Sequence, residues 1–552
     1  MNRGILCPGY QRPLRWSQKY EKSAQVTSSP CVLATPNTST PVSQCLSSSG
    51  HLEQLAPSRT AYAFLEGNGF ETSKELEQPS GAAEQAAETV PLACPSVNLR
   101  TAERLSPLAF RESVHFVQCY SGVLARVLSI YDGLSSPIRA AALSTWRRSS
   151  LLFSAFKFFV GLYRVGSDSN SPLRLAVDEA RLEILNQLSA NLSSVTNQVP
   201  AQNLDVLLVI NMFGLSSSWY DLSDLGLEHY TVAATVVREG HVITPRNRRF
   251  FEEFLVYWWM MLSFACGPDS CRTSKPPTLS HRSSTEPRMP HPLTGVSPES
   301  QLLLGMVARL VLSQRRMVLE QDTTTADAVQ RSLANVEMAR HLEHELLSLQ
   351  LPPADLILDP GDPHTSVLDL LNIARAYREG GLLLLYHAHS DLLTDQTHCS
   401  APLHATNSAV NALEPRRCLS LAFDILHLLG QISPTSGTRT IEAILLVIVS
   451  GELSLKADFA LAPTDHATVI AISEPHSHAT HHDNSEAGIR QAVLQARADV
   501  IARFDRIQAI LPFKTIRRMV SLVFETWRLM DSGFDVSWVD LLIRNKWEFL
   551  MI

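Results

Sequence analysis

From about residue 110 onward, apolar positions recur at helical spacing and strand-like alternation is rare. After Ser297-Pro298 come Leu303, Met306, Val307, Leu310 and Val311, with Arg309 and Arg315 off that stripe. After Ser366, with Asp369 three residues on, come Leu370, Ile373, Ala374 and Tyr377. This is the pattern of a capping box, with Asp in place of Glu, opening an amphipathic helix. Near the C-terminus Ile516, Met519, Val523, Trp527 and Met530 repeat at the same spacing, and Gly533 stops the run. One start device recurs at Ser136-Pro137, Ser171-Pro172, Thr244-Pro245 and Ser297-Pro298. Ser or Thr suits the N-cap, and Pro suits the first helical position, where a missing N–H costs nothing. The run Leu445–Val449 fits a short strand and a buried helix equally well. Together these patterns predict an all-α fold, a large irregular helical bundle. No fixed-period repeat is present, which argues against a regular solenoid.

The polar stretches set the boundaries. Residues 17–108 are dominated by Ser, Thr, Pro, Ala and Gln without sustained periodicity, which predicts a disordered N-terminal tether. An amphipathic patch at Tyr62–Phe70 within it reads more readily as a random cluster than as a partner-binding element. Three insertions, 267–296, 396–417 and 456–488, are rich in Pro, Ser, Thr or His and read as surface loops. The chain thus divides into a tip over 1–22, a disordered linker over 23–108 and a folded body over 109–552.

Composition narrows the class. Hydrophobic residues make up 45% and charged residues 18%, as in a globular protein. The net charge of −7 argues against general nucleic-acid affinity over the whole surface. Residues 1–22 carry Arg3, Arg12, Arg15, Lys19 and Lys22 against Glu21, so +4 here leaves −11 for the rest. The nine cysteines are scattered with no C-x-x-C, which reads as a reduced intracellular protein. No signal peptide is expected, and the apolar stretches Phe254–Cys266 and Ile441–Val449 fall short of the ~18 residues of a membrane span.

Catalytic and metal motifs are sparse. His476, His478, His481 and His482, with Asp483, are close enough to share a metal ion, but their polar insertion favours a solvated loop. His344-Glu345 begins like a zinc-protease motif, yet Ser348 stands where the second His would be. No nucleophile elbow, P-loop or dinucleotide fingerprint occurs, so an enzyme is not expected. The run Tyr257-Trp258-Trp259-Met260-Met261 suits a helix core more readily than a small-molecule pocket. Arg246, Arg248 and Arg249 read as a solvated face.

Several segments resemble a known family. Cys7-Pro8-Gly9-Tyr10, followed by Leu14-Arg15-Trp16, is similar to the exit segment of the fungal binuclear zinc cluster after its sixth cysteine. Val123 to Arg139, Phe250 to Phe264 and His291 to Val296 resemble successive segments of the fungal-specific transcription factor domain, of the type found in acriflavine-sensitivity-control-like regulators. Ile373 to Tyr386, Ser436-Gly437-Thr438-Arg439 and Trp527 to Leu550 follow in the family's order, with Ser136 in place of its Asn and Lys546 in place of its closing Gly.

The resemblance implies a nuclear transcriptional regulator whose body, 109–552, is the regulatory domain and whose residues 1–22 are a remnant of the cluster's exit. It places Cys7 as the sixth zinc ligand and offers Arg12, Arg15 and Lys19 to DNA phosphate, contacts that position a protein without specifying sequence. A zinc site wants four ligands, and no cysteine precedes Cys7. Zinc is therefore expected only in a full-length cluster, with no cofactor for the chain as written, and sequence-specific DNA binding is not expected of it. The implied partners are co-regulators or the transcription machinery and a second copy in a homodimer, with no membrane. A headless interaction protein that dimerises with transcription factors without reading DNA is the alternative.

Overall fold

The computed structural model describes residues 114–551, apart from 134–135, 141–148, 167, 169–170, 195–199, 240–243, 266–274, 281–285, 321–324, 394–406 and 456–485. The tip over 1–22, the linker over 23–108 and the Tyr62–Phe70 patch lie outside the described residues.

Among the described residues the fold is all-α, with isolated β-bridges but no sheet. A helical segment over 114–127, with a π-turn at Tyr120–Leu124, leads in, and a single turn follows at Pro137–Ala140. The longer helices are α1 Ser150–Val165, α2 Arg174–Ser194, α3 Pro200–Leu215, α4 Leu227–Glu239, α5 Pro245–Ala265, α6 Pro298–Leu319 and α7 Ala326–Ser348. After them come α8 Val367–Ala388, α9 Asn407–Gln431, α10 Ala443–Ser450, α11 Glu486–Ile510, α12 Lys514–Asp531 and α13 Trp538–Asn545.

The start devices act locally as their chemistry dictates. Ser297 accepts from the Ser300 N–H with Pro298 at the first helical position. Thr244 accepts from the Asn247 N–H at 3.4 Å. Ser366 and Asp369 form the reciprocal capping box that opens α8. Two devices act differently. The Ser136 hydroxyl is buried without a hydrogen-bond partner and heads only one turn. The Ser171 hydroxyl accepts from the Leu173 N–H at 3.4 Å, and α2 begins at Arg174.

One apolar core runs from Val117 to Met551. Helix α5 packs on α6, α6 on α8, and α8 on α9, which makes a spine. Helix α10 resolves the ambiguity of Leu445–Val449. Ala-Ile-Leu-Leu-Val-Ile-Val-Ser is buried on every side, with α8, α9, α11 and α12 packed around it. A helix apolar all round belongs at the centre, and eight residues make two turns there.

The insertion boundaries need correction. Residues 291–296, assigned to a surface loop, are buried and packed into the core. Helix α9 begins at Asn407 and α11 at Glu486, inside stretches read as loop. Polar composition hid these helix starts because a helix's first turn is commonly polar.

Candidate functional site

Five segments far apart in sequence meet at one junction. The Ile130 N–H donates to Pro292 O at 2.8 Å, and the Tyr131 hydroxyl donates to Pro290 O at 2.9 Å. These bonds tie the 123–139 segment to the 290–297 turn. The Thr365 hydroxyl lies 3.2 Å from Ile130 O and accepts from the Gly437 N–H at 3.0 Å, which brings in 436–441. Helix α8 joins through the Tyr377 hydroxyl, which donates to Ile441 O at 2.7 Å. Helix α5 joins through Phe250 and Phe254, whose rings lie 4.8 and 6.2 Å from that of His291.

The residue types follow from these contacts. His291 Nδ1 accepts from the N–H groups of Leu293 and Thr294 at 3.2 and 3.3 Å, while its backbone exchanges hydrogen bonds with Gly295. Gly295 sits at φ 66°, in the left-handed region that favours glycine. At Gly437 a side chain would place Cβ 2.4 Å from Ile130 O, so the two backbones approach too closely for any other residue.

Beside this junction lies a small cleft of about 30 Å³, room for about one or two waters. Val127, Leu215, Tyr257, Leu293 and Ile441 give it apolar walls, and Trp219 completes them. Trp219 stacks on Phe513 with centroids 4.2 Å apart, yet its indole N–H is buried without a hydrogen-bond partner. Burial raises the pKa of the Tyr257 phenol, which stays neutral at any ordinary pH. The cleft leaves one buried donor unused but is too small for more than about one or two waters.

Arginines sit on two of the junction's segments and on α11, which packs against Gly437–Ile441. Asp132, nearly fully buried, accepts from Arg126 at 2.9 Å and from Arg139 at 2.6 Å, while its own N–H donates to Asp362. Arg503 donates to the buried Glu442 at 2.9 Å. Burial pushes the Glu442 carboxyl above its ordinary pKa, and Arg503, Arg506 and Arg439 offset that only in part. Burial likewise lowers the Arg439 guanidinium; Glu442 opposes the fall, and the Arg126 and Arg506 charges add to it.

Other expected positions resolve as follows. Cys7, Arg12, Arg15, Lys19 and the His476–Asp483 string lie outside the described residues. The aromatic run of α5 is core: Trp258 packs edge-on to Tyr230, and Arg309 lies over Trp259. Only Tyr257 and Phe254 of that helix reach the cleft. Arg246 is exposed as expected of a solvated face, but Arg248 and Arg249 are half-buried; Arg249 lies 3.4 Å from Glu286 and its Nε is buried without a hydrogen-bond partner. Among the described residues no group of three or more His, Cys, Asp or Glu side chains is gathered for a metal, and no helix is long and apolar enough to cross a membrane. Sequence reasoning missed Trp219 and Arg503, whose significance arises only through contacts across the fold.

Residues 115–429 match a family model described as Fungal specific transcription factor domain. No curated protein and no solved structure matches significantly. The core that begins within the matched residues continues through α10 to α13 and ends at Met551.

Proposed function

The chain belongs to the fungal specific transcription factor domain family, whose model covers more than half of it, and from that premise we propose that it is a nuclear, non-catalytic regulator of RNA polymerase II transcription. The family match over 115–429 carries this reading. The segments supporting the resemblance also do the structural work of the junction. Val123–Arg139, Phe250–Phe264, His291–Val296, the α8 segment and Ser436–Arg439 are joined there by hydrogen bonds and ring contacts.

The finer assignment, a binuclear zinc cluster protein of the acriflavine-sensitivity-control-like type, rests on the likeness of Cys7 to Trp16 and on the order of the later segments. Cys7 alone supplies one thiolate where structural zinc takes four ligands, so the residues of this sequence do not fit the metal by themselves and no step is routed through it. In this reading the body acts on co-regulators, the transcription machinery or a second copy, and Arg12, Arg15 and Lys19 meet DNA phosphate.

Tethering the 552-residue chain to an unrelated DNA-binding domain upstream of a reporter in fungal cells tests the regulatory role. Transcription should change several-fold, and a fluorescent fusion of the untethered chain should concentrate in nuclei. An unchanged reporter, with the tethered protein present at its site, would remove the reading.

A further inference from the structure

Away from the junction, three side chains of complementary chemistry meet at the surface. His115 and Cys119 lie one helical turn apart on the lead-in segment over 114–127, so they share a face. Cys119 Sγ is 3.7 Å from His115 Nε2, within the reach of a sulfur donor. Arg164, in the last turn of α1, brings Nη2 to 3.2 Å from that same nitrogen and to 3.5 Å from Cys119 Sγ. Each of the three therefore touches the other two. His115 and Arg164 are exposed and Cys119 is half-buried, so a small molecule can reach the sulfur. Cys418, the other cysteine among the described residues, is buried.

The arginine fixes the direction in which the proton moves. A guanidinium donates and never accepts, so the His115 Nε2 that it meets carries a lone pair. The proton between Sγ and Nε2 is then the thiol's own. Once it has moved to Nε2, imidazole and guanidinium face each other as donors, and Arg164 is left to the sulfur, already within its reach. The thiolate is the nucleophile, and a cation beside sulfur stabilises it. Among the described residues Arg164 has no carboxylate partner to neutralise it. Its charge also opposes a metal ion between Sγ and Nε2. A π-turn begins at the next residue, Tyr120, and such turns recur at functional sites.

We propose that Cys119 is a peroxide-reactive thiol, a modification site at which a small hydroperoxide oxidises the sulfur to a sulfenic acid. His115 Nε2 takes the thiol proton. The thiolate attacks one peroxide oxygen, so that an S–O bond forms and the O–O bond breaks. The displaced hydroxide takes the proton back from His115 and leaves as water, while Arg164 N–H groups hold the charge that develops on it. Sulfur loses an electron pair and the peroxide gains it. A peroxide uses all three groups, because its leaving oxygen needs both a proton and a cation. A carbon electrophile that only adds the thiolate needs neither. With Cys418 buried, the sulfenic acid is left to an external thiol. Tyr120, next in the chain, is buried against Phe156 with centroids 4.2 Å apart, and Ile130 and Tyr131 further on belong to the junction, so the modification sits on a segment built into the body. The proposal rests on the regulator reading only for what this oxidation would control. The chemistry is measured on the purified chain, so loss of a transcriptional role and loss of thiol reactivity are separate results.

The test treats the reduced full chain with hydrogen peroxide and traps sulfenic acid with dimedone, read peptide by peptide by mass spectrometry. The peptide carrying Cys119 should be trapped at least about tenfold faster than free cysteine at the same pH, and the one carrying Cys418 should stay unlabelled. His115→Gln and Arg164→Gln should each slow trapping at Cys119 about tenfold. Arg164→Lys, which keeps the charge, should recover part of that loss. Both residues are exposed, so these variants should unfold at the same temperature as the parent chain. A Cys119 that reacts no faster than free cysteine, or a rate indifferent to both Gln variants, would overturn the proposal. So would an equal acceleration toward iodoacetamide, which would mark a thiol activated for any electrophile rather than for peroxide.

Discussion

The cleft junction and the C-terminal helices pack into the same core yet treat their polar groups in opposite ways. At the C-terminal side Asp540 and Asp531 are each met by an arginine fork. Asp540 accepts a two-pronged contact from Arg315 at 2.8 and 2.7 Å and also closes the capping box of α13 with Ser537. Asp531 accepts a second such fork from Arg497 at 2.7 Å on both oxygens, along with the Leu455 N–H. The Trp527 indole N–H donates to Ser450 O at 2.9 Å. At the junction, by contrast, the Trp219 indole N–H and Arg439 Nε are buried without a hydrogen-bond partner. One region uses its buried donors and acceptors fully. The other leaves two buried donors unused.

The two carboxylates state the difference electrostatically. Burial pushes Asp540 upward, but the Arg315 fork and the Ser537 N–H outweigh it, and its pKa falls below the ordinary value. At Glu442 burial prevails over its arginines and the pKa rises. The linkage signs are therefore opposite. Asp540 contributes stability that is present above its unfolded pKa of about 3.9 and is lost as pH falls through its folded value. Glu442 contributes stability that is full below its unfolded pKa and is lost as pH rises through its raised folded value.

The largest expected effect breaks the junction outright. Gly437→Ala should cost ~3 kcal/mol in chemical denaturation, because Cβ would meet Ile130 backbone atoms that cannot turn aside. Next comes the contrast of carboxylates. Asp540→Asn should cost ~2 kcal/mol at neutral pH, less than a fully buried pair would because Arg315 is partly exposed, and the deficit should shrink below about pH 4. Glu442→Gln should cost ~1 kcal/mol or less, since Gln still accepts from Arg503 and removes a carboxylate whose charge burial opposes. A loss at Glu442 as large as that at Asp540 would erase the distinction.

The tryptophans sharpen the comparison further. Trp219→Phe and Trp527→Phe both lose ring volume, but only the second loses a hydrogen bond, so it should cost ~1 kcal/mol more in the same unfolding assay. Equal losses would mean that the Trp219 N–H is satisfied after all. The smallest effect is a gain. Lys546 holds φ 51° and is the only non-glycine residue at positive φ among the described residues. Lys546→Gly should raise stability by ~1 kcal/mol, read as an upward shift of the thermal midpoint.

Much of this architecture was legible in the chain. The capping box at Ser366 and Asp369, the Ser297-Pro298 start and the α12 stripe appear as local spacing predicts, because caps and amphipathic faces are set by neighbours in sequence. The substitution of Lys546 for the family's closing Gly also gained a physical meaning, since that position needs the left-handed backbone. What stayed hidden depends on distance in sequence. Leu445–Val449 is helical because four helices surround it, and periodicity within five apolar residues cannot report that. His291–Val296 looked like loop by composition, yet its His ring and backbone are used against Phe250, Phe254 and Ile130. Arg439 was visible only as part of a turn. Its buried, unused Nε follows from packing across the fold, which spacing along the chain does not report.

Amide hydrogen exchange on the full chain tests most directly whether the junction is the less completely bonded region and the C-terminal side the more completely bonded one. Residues 212–219 and 437–442 should exchange faster than Lys514–Asp531 and Trp538–Asn545. Equal protection in both regions, or faster exchange over the two C-terminal helices, would contradict the account.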